Sequence, residues 1–294
     1  MKVFVSTPTG NIGRALSARL LDGGHEVQAI ARSLEKVREL TQRGARIVPG
    51  QLEDVDVLTD AMRGADVHFW LAPVVFSETP HAVRERMTAA GIAALKAVGA
   101  SRVVHLSSVG AQHRAGNGLV DSLASAELAL EQEFTDITHL RPAFFMENFL
   151  SYLPLIAGMG AMFSAVPADL GVPMVATRDI AEVAYRRVTD PGWRGRSTQA
   201  VLGPRDLSHA EVAVILTAEL GRPVAYTQIP PDQAIEGMKG MGIPEGFARE
   251  YMKTLAGMVS GSMAPEERRD AANTTPTTFA AFARDTIKPL IARM

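Results

Sequence analysis

Through the first half of the chain, short apolar runs alternate with longer stretches in which apolar residues recur every three or four positions. The runs Val3 to Val5, Glu26 to Ala31, Arg46 to Val48, Val67 to Leu71, Arg102 to Leu106 and Thr138 to Leu140 read as buried strands. Between them, Gly13 to Asp22, Leu34 to Arg43, Asp54 to Met62, Ala82 to Val98 and Leu119 to Glu133 read as helices. A helical crossover returns the chain to the same end of a sheet, so strands joined this way run parallel. The pattern predicts an α/β fold, a doubly wound parallel sheet with helices on both faces.

After Asn148 the alternation weakens and Pro, Gly and Met become more frequent. The expected organisation is a nucleotide-binding domain over residues 1–148 and a smaller α/β region over 149–294, with a segment of about 175–203 returning to the main sheet. Within the second region, Asp179 to Val188 reads as a helix and Thr198 to Leu202 as a strand. Ser208 to Leu220 reads as a helix that Gly221 stops. Phe149 to Ala168 carries no charge over twenty residues, long enough to cross a bilayer. It is interrupted by Pro154, Gly158, Gly160 and Pro167 inside a globular pattern, so the expectation is an apolar wall or lid over a pocket. Met238, Met241, Met252, Met258 and Met263 cluster late in the chain, either as ordinary gap-fillers or as an adaptable substrate surface.

In a doubly wound sheet, ligands collect beyond the carboxyl ends of the strands, where the strand order reverses. The first such end carries Thr7-Pro8-Thr9-Gly10-Asn11-Ile12-Gly13, directly after a buried strand and before a helix whose apolar face is Ile12, Leu16 and Leu20. Glycines there let the backbone approach a pyrophosphate, and the helix N-terminus presents its amides to the anion. The spacing is G-x-x-G-x-x-G with Thr7 in the first glycine position, which brings a Cβ to a tight turn. The second strand ends at Arg32, with Lys36 four residues later. An acidic residue at this place binds the ribose hydroxyls of NAD, whereas Arg offers a donor fork to a 2′-phosphate, so NADP(H) is favoured over NAD(H). A solvated helix start would also put cations here, but a cation beside a helix N-terminus is unfavourable unless an anion binds.

Composition removes several classes of chemistry. The chain is 47% hydrophobic over 294 residues, enough for a sizeable core, and its net charge of −2 with scattered basic residues gives no footprint for nucleic acid. Cysteine is absent, which excludes disulfides, thiolate metal sites and a cysteine nucleophile. The seven His residues show no H-E-x-x-H or other close ligand pair, so no metal site is expected. There is no G-x-S-x-G elbow, so Ser107 and Ser108 fit a strand-end cap or a contact with the nicotinamide ribose better than a hydrolytic role. The chain opens on a strand with no charged and apolar leader, and a cytoplasmic location is the expectation.

No Tyr in the chain is followed four residues later by Lys, the pair that passes protons in ordinary short-chain dehydrogenases. The sequence resembles instead the atypical short-chain dehydrogenases of the NmrA-like group, and within it the bacterial quinone oxidoreductase and triphenylmethane reductase branch. The resemblance covers nearly the whole chain. It rests on Thr7 to Gly13, on Ala31-Arg32-Ser33-Leu34-Glu35-Lys36, and on Glu127-Leu128-Ala129-Leu130. Leu140 to Asn148, Arg178-Asp179-Ile180-Ala181 and Gly242 to Phe247 extend it.

That resemblance implies a Rossmann domain with a small C-terminal domain and an NADP(H) cofactor. Thr7, Thr9, Gly10, Asn11, Ile12 and Gly13 would surround the pyrophosphate, Arg32 and Lys36 would hold the 2′-phosphate, and Gln51 and Leu52 would flank the adenine. Ala72, Pro73 and Ser107 would line the path to the nicotinamide, and Phe144, Phe145 and Asn148 would border the substrate. No catalytic acid is assigned. Leu123 stands where several relatives carry a His, Glu127 reads either as a helix-surface carboxylate or as a substrate-orienting group, and Arg141 as a strand anchor or a site residue. Two functions fit: direct hydride transfer from NADPH to an electron-poor aromatic acceptor such as a quinone, azo compound or cationic dye, or an NADP(H)-binding redox sensor acting on a protein partner. Either suits a monomer or a homodimer.

Overall fold

A computed structural model describes residues 1–294. The chain runs through β1 (Lys2–Val5), α1 (Asn11–Asp22), β2 (Glu26–Ala31), a 3₁₀ turn Glu35–Val37 leading to α2 (Arg38–Gln42), β3 (Arg46–Pro49), α3 (Val55–Met62) and β4 (Val67–Trp70). It continues through α4 (Pro80–Ala97), β5 (Val103–Leu106), α5 (Asp121–Glu133) and β6 (Ile137–Pro142). Then come β7 (Phe144–Phe145), α6 (Leu153–Met159), β8 (Ala161–Ser164), β9 (Val172–Val175), α7 (Thr177–Thr189), β10 (Arg196–Val201) and β11 (Asp206–Leu207). The last elements are α8 (His209–Leu220), β12 (Ala225–Gln228), α9 (Pro231–Gly240), α10 (Glu245–Ser260) and α11 (Phe279–Phe282), which a π turn joins to α12 (Lys288–Ile291).

Seven strands form one parallel sheet in the order β10-β6-β5-β4-β1-β2-β3. The order reverses between β1 and β4, so Thr7, beyond β1, and Ala72, beyond β4, flank the crevice. Strands β4 and β5 are buried throughout, as strands covered on both faces must be. One face is sealed by α1 and α7, whose Leu16, Leu20, Ile180 and Ala184 meet Val3, Val5 and Phe69. The other is sealed by α3, α4 and α5, with Leu58, Met62, Leu95 and Leu130 against Phe4 and Trp70. The 175–203 segment supplies α7 to this unit, and β10 extends its sheet beside β6.

A separate apolar cluster lies beyond β6. It is built on Phe149, Ile156, Met162, Val166, Leu216, Leu255, Phe279 and Phe282. Ser208 caps α8 with a reciprocal capping box to Glu211, and Gly221 ends that helix at φ 69, as the sequence signals require.

Two expectations change here. The stretch 34–43 is not one helix but a 3₁₀ turn followed by a five-residue helix. Phe149 to Ala168 is not a lid: its large side chains form the second core, and only Ser151 among these residues borders the main cavity. Its apolarity came from burial against α8 and the C-terminal helices, and no helix is long and apolar enough to cross a membrane.

Candidate functional site

The loop after β1 folds back through a Gly10 amide to Thr7 carbonyl bond of 3.2 Å and delivers the chain into α1. Gly10 is the N-cap residue, no side chain caps the helix, and its first turn holds no acidic residue. An uncapped N-terminus of a twelve-residue helix leaves amides and a positive dipole end free for an anion. Gly13 is the glycine this turn requires, since a Cβ there would fall 2.0 Å from the Thr7 carbonyl oxygen. Thr7 itself lies outside the left-handed region, because Arg114 is the only non-glycine residue with positive φ. Its Cβ therefore imposes no backbone strain, contrary to the concern that the substituted glycine raises.

Parallel pairing of β1 with β2, with Val5 opposite Ala29, sets the Thr7 turn beside Arg32. Arg32 and Lys36 are exposed, and neither pairs with a carboxylate. Arg14, on the first turn of α1, donates from Nη2 to the Lys36 carbonyl at 3.2 Å and brings a third unpaired cation to this corner. The sequence reading did not single out Arg14. Thr9 is exposed at the tip of the turn and Gln51 at the end of β3, while Leu52 packs into the core with Phe4 and Leu58.

A cavity of about 630 Å³ opens at the carboxyl ends of β1, β4 and β5. Thr7, Gly10, Asn11, Ile12 and Gly13 border one end, and Ala72, Pro73 and Ser107 border its middle. Phe144, Phe145 and Asn148 form part of the far wall. Phe76, Phe247 and Tyr251, with Met238, Met258 and Met263, also line the cavity. Arg32, Lys36, Gln51 and Leu52 lie outside it, as do Met241 and Met252. Phe76 meets Phe247 edge-on with ring centroids 4.6 Å apart. The loop bearing Phe76 is tied to α10 where the Gly246 amide donates to Glu78 at 2.7 Å and where His81 meets Glu250 at 2.9 Å.

The hydroxyl oxygen of Thr7 is buried and has no protein hydrogen-bond partner, while that of Ser107 faces the Glu127 carboxylate. Buried hydroxyls are normally paired, so the orphan at Thr7, on the crevice, fits a polar ligand such as a dinucleotide. Together with the open helix end and the close approach at Gly13, the residues present suit NADP(H).

Polar groups around the cavity are otherwise committed. Glu147 accepts from the Thr177 amide at 3.0 Å and from its hydroxyl at 2.5 Å, capping α7, and burial raises its pKa. Glu127 is not on a helix surface: its carboxylate is fully enclosed and does not border the cavity. It accepts from Arg141 Nε at 2.9 Å and Nη2 at 2.7 Å, and from Arg114 Nη1 at 3.0 Å. Burial pushes its pKa up, but the Arg141 guanidinium overrides that and holds it near 2. Arg141 also donates to Glu266 at 2.7 Å. It is a strand anchor.

Tyr251 is the one tyrosine on the cavity wall, and burial raises its pKa with no cation to lower it. It is therefore a poor proton donor. Leu123 occupies the wall near Ser107 and supplies no acid. No three His, Asp or Glu side chains gather in a way that would hold a metal ion.

Comparison with known proteins places this geometry. An NAD(P)H azoreductase of Xenophilus azovorans is 33% identical over 247 residues, which are 84% of this chain and 83% of that protein. A (4-alkanoyl-5-oxo-2,5-dihydrofuran-3-yl)methyl phosphate reductase of Streptomyces griseus is 32% identical over 265 residues, 89% of each chain. Among solved structures, the NADPH complex of an Escherichia coli NADPH-dependent quinone oxidoreductase superposes with a TM-score of 0.81 at 22% identity, covering 96% of this chain and 98% of that one. The NADP(H) complex of Citrobacter sp. triphenylmethane reductase gives 0.78 at 20% identity over 97% and 100%. The overall fold is thus shared with these solved structures, and with the family model matching residues 1–275 the chain belongs to the NmrA-like family.

Proposed function

We propose that this protein is an NADPH-dependent reductase that delivers hydride directly to an electron-poor aromatic acceptor of the quinone or azo class. The observation that carries the reading is the single cavity joining an uncapped helix N-terminus to an aromatic and methionine-rich wall, with no positioned proton donor along it. Its volume is in the range that encloses a small organic ligand. The chain is an NAD(P)H-dependent oxidoreductase, and its azoreductase relative supports the acceptor class.

When bound, the cofactor supplies the hydride. Gly10, Asn11, Ile12 and Gly13 hold the pyrophosphate through backbone amides, and Arg32 and Lys36, with Arg14 behind them, hold the 2′-phosphate. Thr9 sits at the open face of the turn, and Gln51 and Leu52 flank the adenine from the end of β3. Ala72, Pro73 and Ser107 orient the ring end, and Phe144, Phe145 and Asn148 with the Phe76–Phe247 pair confine the acceptor and exclude water. Quinones and azo compounds take hydride without prior protonation, and water supplies the proton afterwards. Orientation and desolvation are then the protein's main contributions.

Steady-state NADPH oxidation against a panel of quinones and azo dyes, with NADPH binding measured in parallel, tests this. Turnover above the uncatalysed rate supports it. Tight NADPH binding with no acceptor turned over would favour a redox sensor, the second reading that the missing proton donor permits.

A further inference from the structure

The molecule buries two arginines, and they differ in one respect. Arg141 has Glu127 and Glu266 as partners. Arg84, on α4, is 6% exposed and has no carboxylate partner. Its Nε donates to the Ala72 carbonyl at 3.3 Å, and Nη1 donates to the Leu119 carbonyl at 2.6 Å and the Ser122 hydroxyl at 2.7 Å. Nη2 donates to no protein atom, and Arg84 borders the cavity. Burial alone lowers its pKa, to about 10, so no nearby acid offsets the charge and the group stays protonated at neutral pH.

Three neutral acceptors explain the staple between α4, the β4 end and α5, but they do not require a cation. An unpaired buried charge is costly unless something compensates it. Arg84 packs on the α4–α5 face of the sheet, opposite α1, where Leu119 is tied to α10 through the Thr254 hydroxyl. The bond to Ala72 puts Arg84 at the middle of the cavity, between the phosphate turn and the aromatic wall, where an acceptor would meet the nicotinamide.

We infer that Arg84 is a specificity-determining residue that recognises an oxyanion on an aromatic acceptor and selects against cationic acceptors, an inference resting on the reductase reading. The oxyanion is either a fixed sulfonate or the oxygen of a quinone. Hydride supplied by NADPH would go to one quinone oxygen, that C=O π bond would break with its electrons passing through the ring and aromatising it, and the opposite oxygen, left as a phenolate, would take a proton from water. NADPH is thereby oxidised to NADP⁺ and the quinone reduced to hydroquinone. The free Nη2 of Arg84 stabilises the oxygen while it is negative. Glu147, the only carboxylate bordering the cavity, is already engaged by Thr177 and does not cancel this charge.

The test is calorimetric binding to the whole protein saturated with NADP⁺, using 2-naphthalenesulfonate, 2-naphthol and N-methylquinolinium as a size-matched charge series that needs no turnover. The sulfonate should bind at least about tenfold more tightly than the cation, the effect of one charge-assisted hydrogen bond. Arg84→Met should abolish the preference and Arg84→Lys should keep part of it. If Arg84→Met does not fold, Arg84→Gln takes its place in the same series. Equal binding of the three probes, binding of none, tightest binding of the cation, or a preference that survives in Arg84→Met would overturn the inference. A sulfonate preference without NADPH oxidation of any acceptor would leave Arg84 as an anion site and remove the reductase reading. Turnover without a charge preference would do the reverse.

Discussion

Replacing Glu127 by Gln separates a structural role from a catalytic one. The carboxylate is fully enclosed and faces Arg141, itself 8% exposed, through two hydrogen bonds, with Arg114 as a third contact. Removing one partner of a buried pair leaves the other charge uncompensated, at a cost of about 3–5 kcal/mol. Arg141 retains Glu266, which is 60% exposed, so the lower end of that range applies. Linkage gives the same size: a carboxyl held near 2 rather than the usual 4.5 contributes about 3 kcal/mol. With roughly 2 cal/mol/K of unfolding entropy per residue over a chain of this length, Tm should fall by about 5 °C.

The sign with pH is definite. A depressed carboxyl pKa stabilises the fold above the unfolded value and loses that contribution as pH falls through the folded value. The gap between wild type and Glu127→Gln should therefore be full above pH 4.5 and close toward pH 2. Calorimetry across that window, with NADPH oxidation measured well below Tm, is the assay. Loss of activity with unchanged Tm would refute the assignment and return Glu127 to the site.

Three other outcomes follow from the same geometry. Arg32→Glu should weaken NADPH binding by roughly tenfold to a hundredfold, the loss of a charged phosphate contact, and affect NADH far less; equal effects in parallel titrations would remove the 2′-phosphate assignment. Gly246→Ala places a Cβ 2.1 Å from the Glu78 carbonyl, so the loop carrying Phe76 should shift and raise KM for the acceptor while NADPH affinity stays constant. His68, His105 and His209 are lowered by burial to about 4, 3 and 4. They stay neutral in the fold but protonate on unfolding below 6.5, so stability should fall by about 2 kcal/mol for each between pH 7 and 5; urea midpoints unchanged over that interval would contradict it.

The main sheet was legible because its strands are short apolar runs spaced by helical periodicity, and the tight turn before α1 was legible because backbone chemistry at Gly10 and Gly13 leaves a local signature. The far wall was not. It depends on Phe76 meeting Phe247 and on Leu119 meeting Thr254 through tertiary packing, and apolar Phe149 to Ala168 announces burial without saying against what. Glu127 looked like a surface charge because its partner Arg141 lies on β6. Arg84 did leave a trace: it falls on the buried stripe of α4 with Pro80, Met87, Gly91 and Leu95, where a cation has no ordinary reason to be. Arg14 left none, since its contact with Lys36 exists only once β1 and β2 lie side by side.

The central claim is direct hydride delivery from NADPH to the acceptor held in this cavity. Single-turnover oxidation of NADPH stereospecifically deuterated at C4, with a quinone or azo acceptor and no other cofactor added, tests it most directly. The account predicts oxidation well above the uncatalysed rate, slowed by deuterium on one face of the ring and not the other. Oxidation at the uncatalysed rate despite bound NADPH, or equal rates for both labelled faces and the unlabelled cofactor, would contradict it.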